Sequence, residues 1–159
     1  MADVVFGYVF DFGPDEEWAA RKGQGATVND RALATGTPER RDRHGKLELL
    51  GLESADPRYI RDAADGLVDA AHRIRALGTI AVTMCQVAAA RFDGMLTIRG
   101  CRAVDAAAAQ LIIRETGGLV EFTGFDDPLA APLDLEPHSP VVAARTERGL
   151  ADLRGVPRP

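Results

Sequence analysis

The clearest structural signal lies between Gly78 and Gly118, in the sequence GTIAVTMCQVAAARFDGMLTIRGCRAVDAAAAQLIIRETGG. Two apolar runs, at 80–90 and 103–116, are long enough for helices. A shorter run at 95–99 follows the turn-forming triplet Phe-Asp-Gly and has the length of a strand. A double glycine then ends the second helix. The pattern predicts a helix, a strand and a second helix.

The same alternation extends in both directions along the chain. Upstream, 47–52 is predicted to be a strand, and a helix from Pro57 to about Ala76 is capped by Ser54 or Asp56. Downstream, the predicted elements are a strand at 119–122, a Pro/Asp-rich loop at 124–139, a strand at 140–144 and a short helix at 147–153. Strands that alternate with helices predict a mixed or parallel sheet covered by helices.

The first 45 residues have a different character. Short strands are predicted at 4–10, 17–21, 26–28 and 32–34, separated by turn residues, which is typical of the end of an antiparallel meander. Residues 35–45 are polar and form a predicted mobile boundary loop, whose arginines we expect to be a solvated face rather than an anion site. The fold class is therefore α/β (α+β layered), with two regions: 1–45, the remnant of an antiparallel sheet and its loop, and 46–159, a carboxyl-terminal α/β domain.

Composition limits the functional classes. The chain has 159 residues, enough for one compact domain, and its net charge of −5 argues against a nucleic-acid partner. The amino terminus has no basic region followed by an apolar run, and no apolar stretch has membrane-spanning length. We therefore expect a cytoplasmic protein with no membrane partner.

Several common catalytic patterns are missing from the sequence. There is no P-loop, GxSxG elbow, HExxH or EF-hand loop. Cys85 and Cys101 are expected to be reduced, buried thiols. His44, His72 and His138 are far apart in the chain and are expected to lie in loops or on helix surfaces without a catalytic role.

Two features allow a functional and a purely structural interpretation. Gly78-Thr79 opens a predicted helix, whose free N–H groups and dipole favour polar or anionic ligands, but a capped helix-helix turn explains the pair equally well. Asp105 begins an otherwise apolar helix. Its carboxylate is either a helix cap or a ligand for a hard cation such as Mg²⁺.

These segments, in this order, resemble the inositol monophosphatase family. The family's Gly-Ser/Thr-x-Ala element is similar to 78–81, its Trp-Asp-x-Ala-Ala-Gly element to 104–108 and its Glu-Ala-Gly-Gly element to 115–118. Upstream, 7–11 and 19–29 are similar to the family's strand and Gly-x-Gly-Ala-x-x-Asn-Gly stretch, and 141–144 to its final strand. The resemblance covers nearly the whole chain. It implies that the chain corresponds to the carboxyl-terminal portion of the layered αβαβα phosphatase fold.

The resemblance implies roles for three residues. Asp105 matches a metal-ligating aspartate, while Gly78 and Thr79 match a pair that contacts substrate hydroxyls; Mg²⁺ is the implied cofactor and a small-molecule phosphate ester the implied partner. Val104 replaces the family's usual Trp and Ala108 its usual Gly. The best inositol binders carry a carboxylate near Thr97-Ile98-Arg99, so other sugar or polyol phosphates are as plausible as inositol phosphate.

The family's Asp-Pro-x-Asp-Gly-Thr motif and an earlier Glu, which supply most metal ligands, are expected before Val4 and are missing from this sequence. No catalytic residue is therefore assigned. The first hypothesis is the carboxyl-terminal part of a truncated or split Mg²⁺-dependent phosphomonoesterase. The alternatives are a non-catalytic binding or dimerisation module, and a chance similarity in an unrelated α/β protein. An open sheet edge also favours a homo-oligomer.

Overall fold

Helices and strands alternate through most of residues 1–158, which the computed structural model describes. The strands are β1 (Phe6–Asp11), β2 (Glu16–Arg21), β3 (Ala26–Val28), β4 (Arg31–Ala32), β5 (Leu47–Glu53), β6 (Ala71–Arg75), β7 (Gly94–Thr97), β8 (Cys101–Arg102), β9 (Leu119–Phe122), β10 (Pro137–Ser139) and β11 (Val141–Ala144). The helices are α1 (Pro57–Ala70), α2 (Ile80–Ala88), α3 (Ala103–Glu115) and α4 (Glu147–Arg154). The predicted helix-strand-helix segment is confirmed, with ends shifted by one or two residues.

The larger sheet is mixed and has the strand order β6-β5-β7-β11-β9. Strand β5 pairs in parallel with β6 and β7, whereas β11 is antiparallel to β7 and β9. Side chains alternate between its two faces, as the pleat requires. On β11, Val141 and Ala143 face one apolar cluster, while Val142 and Ala144 face the other. The predicted α/β layered class with a mixed sheet is confirmed.

The smaller sheet is an antiparallel meander in the order β1-β2-β3-β4. Helices α2 and α3 pack between it and the mixed sheet, and α1 and α4 cover the opposite face of the mixed sheet. Trp18 of β2 is fully buried with Met84 of α2 and Ile112 of α3 in one cluster. This shared cluster joins the two regions, whose predicted boundary at residue 45 stays a prediction.

The first sheet and α3 approach each other closely at Gly7. A Cβ built on Gly7 would lie 2.5 Å from the carbonyl oxygen of Ala108, nearer than real side chains come. The glycine therefore lets β1 lie directly against the first half of α3, the half that carries Asp105.

The predicted helix to Ala76 is wrong beyond Ala70. Residues 71–75 are strand β6, which pairs in parallel with β5 from Leu47↔Ala71 to Gly51↔Arg75. The apolar helical spacing continues to Ile74, but backbone pairing with β5 outweighs that local preference. His72 consequently lies on an edge strand rather than in a loop or on a helix. Asp56 caps the shortened helix, since its side chain accepts a hydrogen bond from the Arg58 N–H.

The segment predicted to be a mobile loop, 35–45, is held in place by specific hydrogen bonds. Glu39 accepts hydrogen bonds from the backbone of Arg145 and from both the backbone and the hydroxyl of Thr146. Arg40 donates three hydrogen bonds to the fully buried carboxylate of Asp93. These contacts fix the connection between the two sheets.

The arginines of this segment differ in their surroundings. The side chain of Arg41 is only 15% exposed and pairs with Asp152 at 2.7 Å. Arg40 and Arg43 are both exposed, but Arg40 pairs with Asp93 at 3.0 Å. The expectation of a solvated face is therefore wrong for Arg41 and incomplete for Arg40.

The predicted loop at 124–139 contains β10, which pairs with β8. Cys85 and Cys101 are free and buried, as expected, and burial raises the pKa of the Cys101 thiol to about 11. Within residues 1–158, no helix combines the length and the apolar character needed to cross a membrane.

Candidate functional site

A cleft of about 750 Å³ opens beside the amino-terminal ends of α2 and α3, between β1 and the end of β5. Its walls come from the middle of β1, the end of β5, the turn before α2, and the starts of α2 and α3. The lining residues are Tyr8, Val9, Glu53, Ser54, Ala55, Ala76, Gly78, Thr79, Ile80, Ala81, Arg102, Val104, Asp105 and Ala108. All three residues singled out from the sequence, Gly78, Thr79 and Asp105, therefore surround one cavity.

The Gly78-Thr79 turn presents the amino-terminal end of α2 to the cleft. Gly78 has a φ of +80°, a conformation that glycine adopts without strain. Thr79 is the N-cap residue of α2, yet its side chain makes no capping hydrogen bond. The first-turn N–H groups of a helix have no intrahelical partner, so this end offers donors and a positive dipole. Thr79 therefore occupies the cap position that the structural alternative gave it, but the turn joins strand β6 to α2 rather than two helices.

Glu53 holds this turn in place. Its carboxylate accepts hydrogen bonds from the backbone N–H groups of Leu77 at 2.9 Å and Gly78 at 3.0 Å. It also accepts one from the hydroxyl of Thr83 at 2.6 Å. The residue is only 3% exposed. A buried carboxylate is tolerated here because three donors satisfy it.

Asp105 faces the same cleft from the first turn of α3. The N-cap of α3 is Arg102, so Asp105 is not the cap that the structural alternative predicted. Instead its two oxygens accept hydrogen bonds from Nε and Nη2 of Arg102, at 2.9 and 3.0 Å. The hydrogen bonds that Arg102 donates to Asp105 raise the pKa of Arg102 above its ordinary value. The carboxylate also lies favourably near the positive end of the helix dipole.

Some of the positions where the sequence departs from the family pattern line the cleft, and others lie outside it. Val104 and Ala108 line the cleft, so both substitutions alter its wall. Thr97 is fully buried and its hydroxyl accepts a hydrogen bond from the N–H of Val141. Arg99 lies near Asp56 and stacks over the Tyr59 ring. Residues 97–99 thus contribute nothing to the cleft lining.

The described residues do not form a Mg²⁺ site. Mg²⁺ requires near-octahedral coordination by oxygen. The two carboxylates of the cleft are both engaged, Glu53 by three hydrogen-bond donors and Asp105 by Arg102. Nowhere in residues 1–158 do three His, Cys, Asp or Glu side chains cluster in a way that could hold a metal. Asp105 remains a single candidate ligand.

Sequence reasoning missed Glu53 and Arg102. Glu53 ends an apolar strand. Because ligands of open α/β folds bind at the carboxyl ends of sheet strands, its position could have indicated a site residue. Arg102 stands three residues before Asp105, the spacing of an ion pair on a helix. The roles of Gly78, Thr79 and Asp105 in binding remain predictions.

Comparison with known proteins agrees with this architecture. The model of the inositol monophosphatase family matches residues 2–156. The chain is 37% identical over 117 residues to the fructose-1,6-bisphosphatase/inositol-1-monophosphatase of Thermococcus kodakarensis, covering 73% of this chain and 41% of that protein. It is 35% identical over 132 residues to the inositol-1-monophosphatase of Rhizobium meliloti, covering 74% of this chain and 44% of that protein.

The fold has counterparts among solved structures. The extragenic suppressor protein suhB of Bartonella henselae superposes with a TM-score of 0.73 at 22% identity, covering 95% of this chain and 55% of that one. The fold and the sequence together therefore define the class of this protein as a layered α/β protein with a cleft at the starts of α2 and α3. The chain belongs to the inositol monophosphatase family. It spans less than half the length of the curated relatives it matches.

Proposed function

We propose that this chain is part of a phosphomonoesterase that hydrolyses inositol phosphate or a related sugar or polyol phosphate. One observation carries the proposal: Gly78, Thr79 and Asp105 are up to 27 residues apart in sequence, yet they line one cleft. The family resemblance assigns these residues to substrate and metal contacts. Family membership and the names of the relatives support the same class of reaction.

The cleft walls suggest how a sugar or polyol phosphate is held. The Thr79 side chain is not used for capping and can exchange hydrogen bonds with a substrate hydroxyl. The first-turn N–H groups of α2 suit an anionic or polar group. Val9, Ile80 and Val104 provide apolar surface against which a sugar ring can pack. Mg²⁺ enters the proposal only through the family, and a complete site needs oxygen ligands beyond Asp105.

The test is phosphate release by the purified chain with Mg²⁺. The substrates are myo-inositol 1-phosphate, fructose 1,6-bisphosphate and glucose 1-phosphate, and the variants are Asp105→Asn and, as control, Asp126→Asn. Asp126 is exposed and lies outside the cleft. Turnover that Asp105→Asn abolishes and Asp126→Asn leaves unchanged supports the proposal. Lack of turnover on every ester contradicts catalysis by this chain alone, whereas lack of both turnover and ester binding at Thr79 contradicts the proposal.

A further inference from the structure

The pair formed by Arg102 and Asp105 has an unusual position for a surface ion pair. Arg102 ends β8, which pairs with β10 through Pro137, and it directly precedes α3. The backbone on both sides of the pair is therefore fixed by regular structure. The side chains are 53% and 35% exposed, and both residues line the cleft.

Arg102 engages both carboxylate oxygens of Asp105. Nε and Nη2 of the guanidinium each contact a different carboxylate oxygen, at 2.9 and 3.0 Å. This two-point contact is specific to arginine, since a lysine ammonium cannot match the carboxylate fork. A metal ion at Asp105 would need the same oxygens. The guanidinium therefore competes with a metal ion for the lone pairs of this carboxylate.

The other charged side chains of the cleft leave Arg102 as the partner of Asp105. Among the described lining residues, Arg102 is the one cationic side chain, opposite the carboxylates of Asp105 and Glu53. Glu53 is satisfied by Leu77, Gly78 and Thr83, all through neutral donors. The positive charge that Asp105 meets therefore comes from Arg102.

We propose that Arg102 is an internal counter-cation of the cleft, which occupies Asp105 and limits its access to free divalent ions. The proposal rests on the assignment of Asp105 in the proposed function and adds a positioning residue to it. Because exposed ion pairs are weak, removal of the guanidinium should strengthen cation binding at Asp105 by only about two- to five-fold.

The experiment titrates ¹⁵N-labelled chain with Mn²⁺ and follows paramagnetic broadening of the Ala106 and Ala107 amides, beside Asp105. Arg102→Gln removes the pair. Arg99→Gln is the matched control, because Arg99 is 52% exposed, lies in the same connection and does not line the cleft. The control corrects for the general effect of removing one positive charge. Asp105→Asn identifies broadening that depends on this carboxylate.

The proposal predicts that Arg102→Gln needs about two- to five-fold less Mn²⁺ for half-maximal broadening than wild type, whereas Arg99→Gln does not differ from wild type. Equal or weaker broadening in Arg102→Gln overturns it, whether or not the wild type responds. Broadening that survives in Asp105→Asn also overturns it. The proposed function is judged separately, because a shift of the Thr79 amide with myo-inositol 1-phosphate in EDTA does not involve a metal at Asp105.

Discussion

Oε2 of Glu53 lies 3.0 Å from the backbone nitrogen of Gly78, so a buried carboxylate fixes the turn that opens α2. The two residues are 25 positions apart in sequence, and the contact links the end of β5 to the cleft. A third donor, the Thr83 hydroxyl, comes from the first turns of α2 itself. The orientation of the amino-terminal end of α2 therefore depends on one side chain of the mixed sheet.

We expect Glu53→Gln to destabilise the chain by about 1–3 kcal/mol, because an amide NH₂ would face donors that now find an acceptor. Urea unfolding measures the change in the free energy of unfolding. Glu48→Gln is the control, since Glu48 lies on the same strand and makes a partly exposed pair with Arg73. Its effect should stay within about 0.5 kcal/mol. Equal stability of the two variants would show that Glu53 does not hold the turn.

Stability at acid pH should depend on Asp93. Burial raises its pKa, but the hydrogen bonds from Arg40 and Arg145 outweigh burial, so the pKa of Asp93 is lowered. A carboxyl with a lowered pKa stabilises the fold above its unfolded pKa of about 4, and this contribution disappears as the pH falls through the lowered folded value. The fold should therefore lose stability below about pH 4.

Asp93→Asn should cost about 3 kcal/mol at pH 7, because it leaves the buried Arg145 without a charged partner. The variant should also lose less stability than wild type when the pH falls below about 4. Urea unfolding across a pH series measures both effects, with the exposed Asp126→Asn as control. Parallel pH profiles for wild type and Asp93→Asn would contradict the assignment.

Gly7→Ala tests the close approach of β1 and α3. The added methyl would lie 2.5 Å from the backbone oxygen of Ala108, so the helix must move, at about 1–3 kcal/mol. Gly13→Ala is the control, because the nearest atom to its added Cβ is a flexible side-chain oxygen of Asp11 at 3.4 Å. Thermal unfolding compares the two. A Gly7→Ala protein as stable as Gly13→Ala would mean that α3 does not pack this closely.

The amount of structure that sequence predicts varies along the chain. Helices α2 and α3 were predictable because each is a long apolar run ended by turn residues. The end of α1 was not, because Ile74 keeps the helical spacing while its backbone pairs with Leu50, which is 24 residues away. Local periodicity contains no information about such a partner.

Some residues of the candidate site could be predicted from the sequence, and others could not. Gly78, Thr79 and Asp105 belong to short motifs and could be found from the family resemblance. The contacts of Glu53 and Arg102 depend on where the strand ends and helix starts meet in space. The anchoring of 35–45 likewise depends on Asp93 and Thr146, about 50 and 100 residues away. A polar, glycine-containing segment looks mobile in sequence when its partners are distant.

Self-association is expected at β1, which is an edge strand of the described meander. Phe6 is 52% exposed and Phe12, just after the strand, is 85% exposed. An uncovered apolar edge favours pairing with a second copy. Sedimentation should show mass rising with concentration for wild type and less so for Phe12→Lys. Leu135→Lys, 69% exposed in a distant loop, is the control. A wild type that is monomeric at every concentration would contradict this expectation.

We propose that the cleft between β1 and the end of β5 binds the phosphate ester. Titration of ¹⁵N-labelled chain with myo-inositol 1-phosphate measures this binding. We predict that the amides of Thr79, Ile80 and Ala106 shift together with one dissociation constant, and that Thr79→Val weakens this binding. Shifts confined to the separate surface pocket around Asp42 and His72, or no shift at Thr79 up to saturating ester, would contradict the claim.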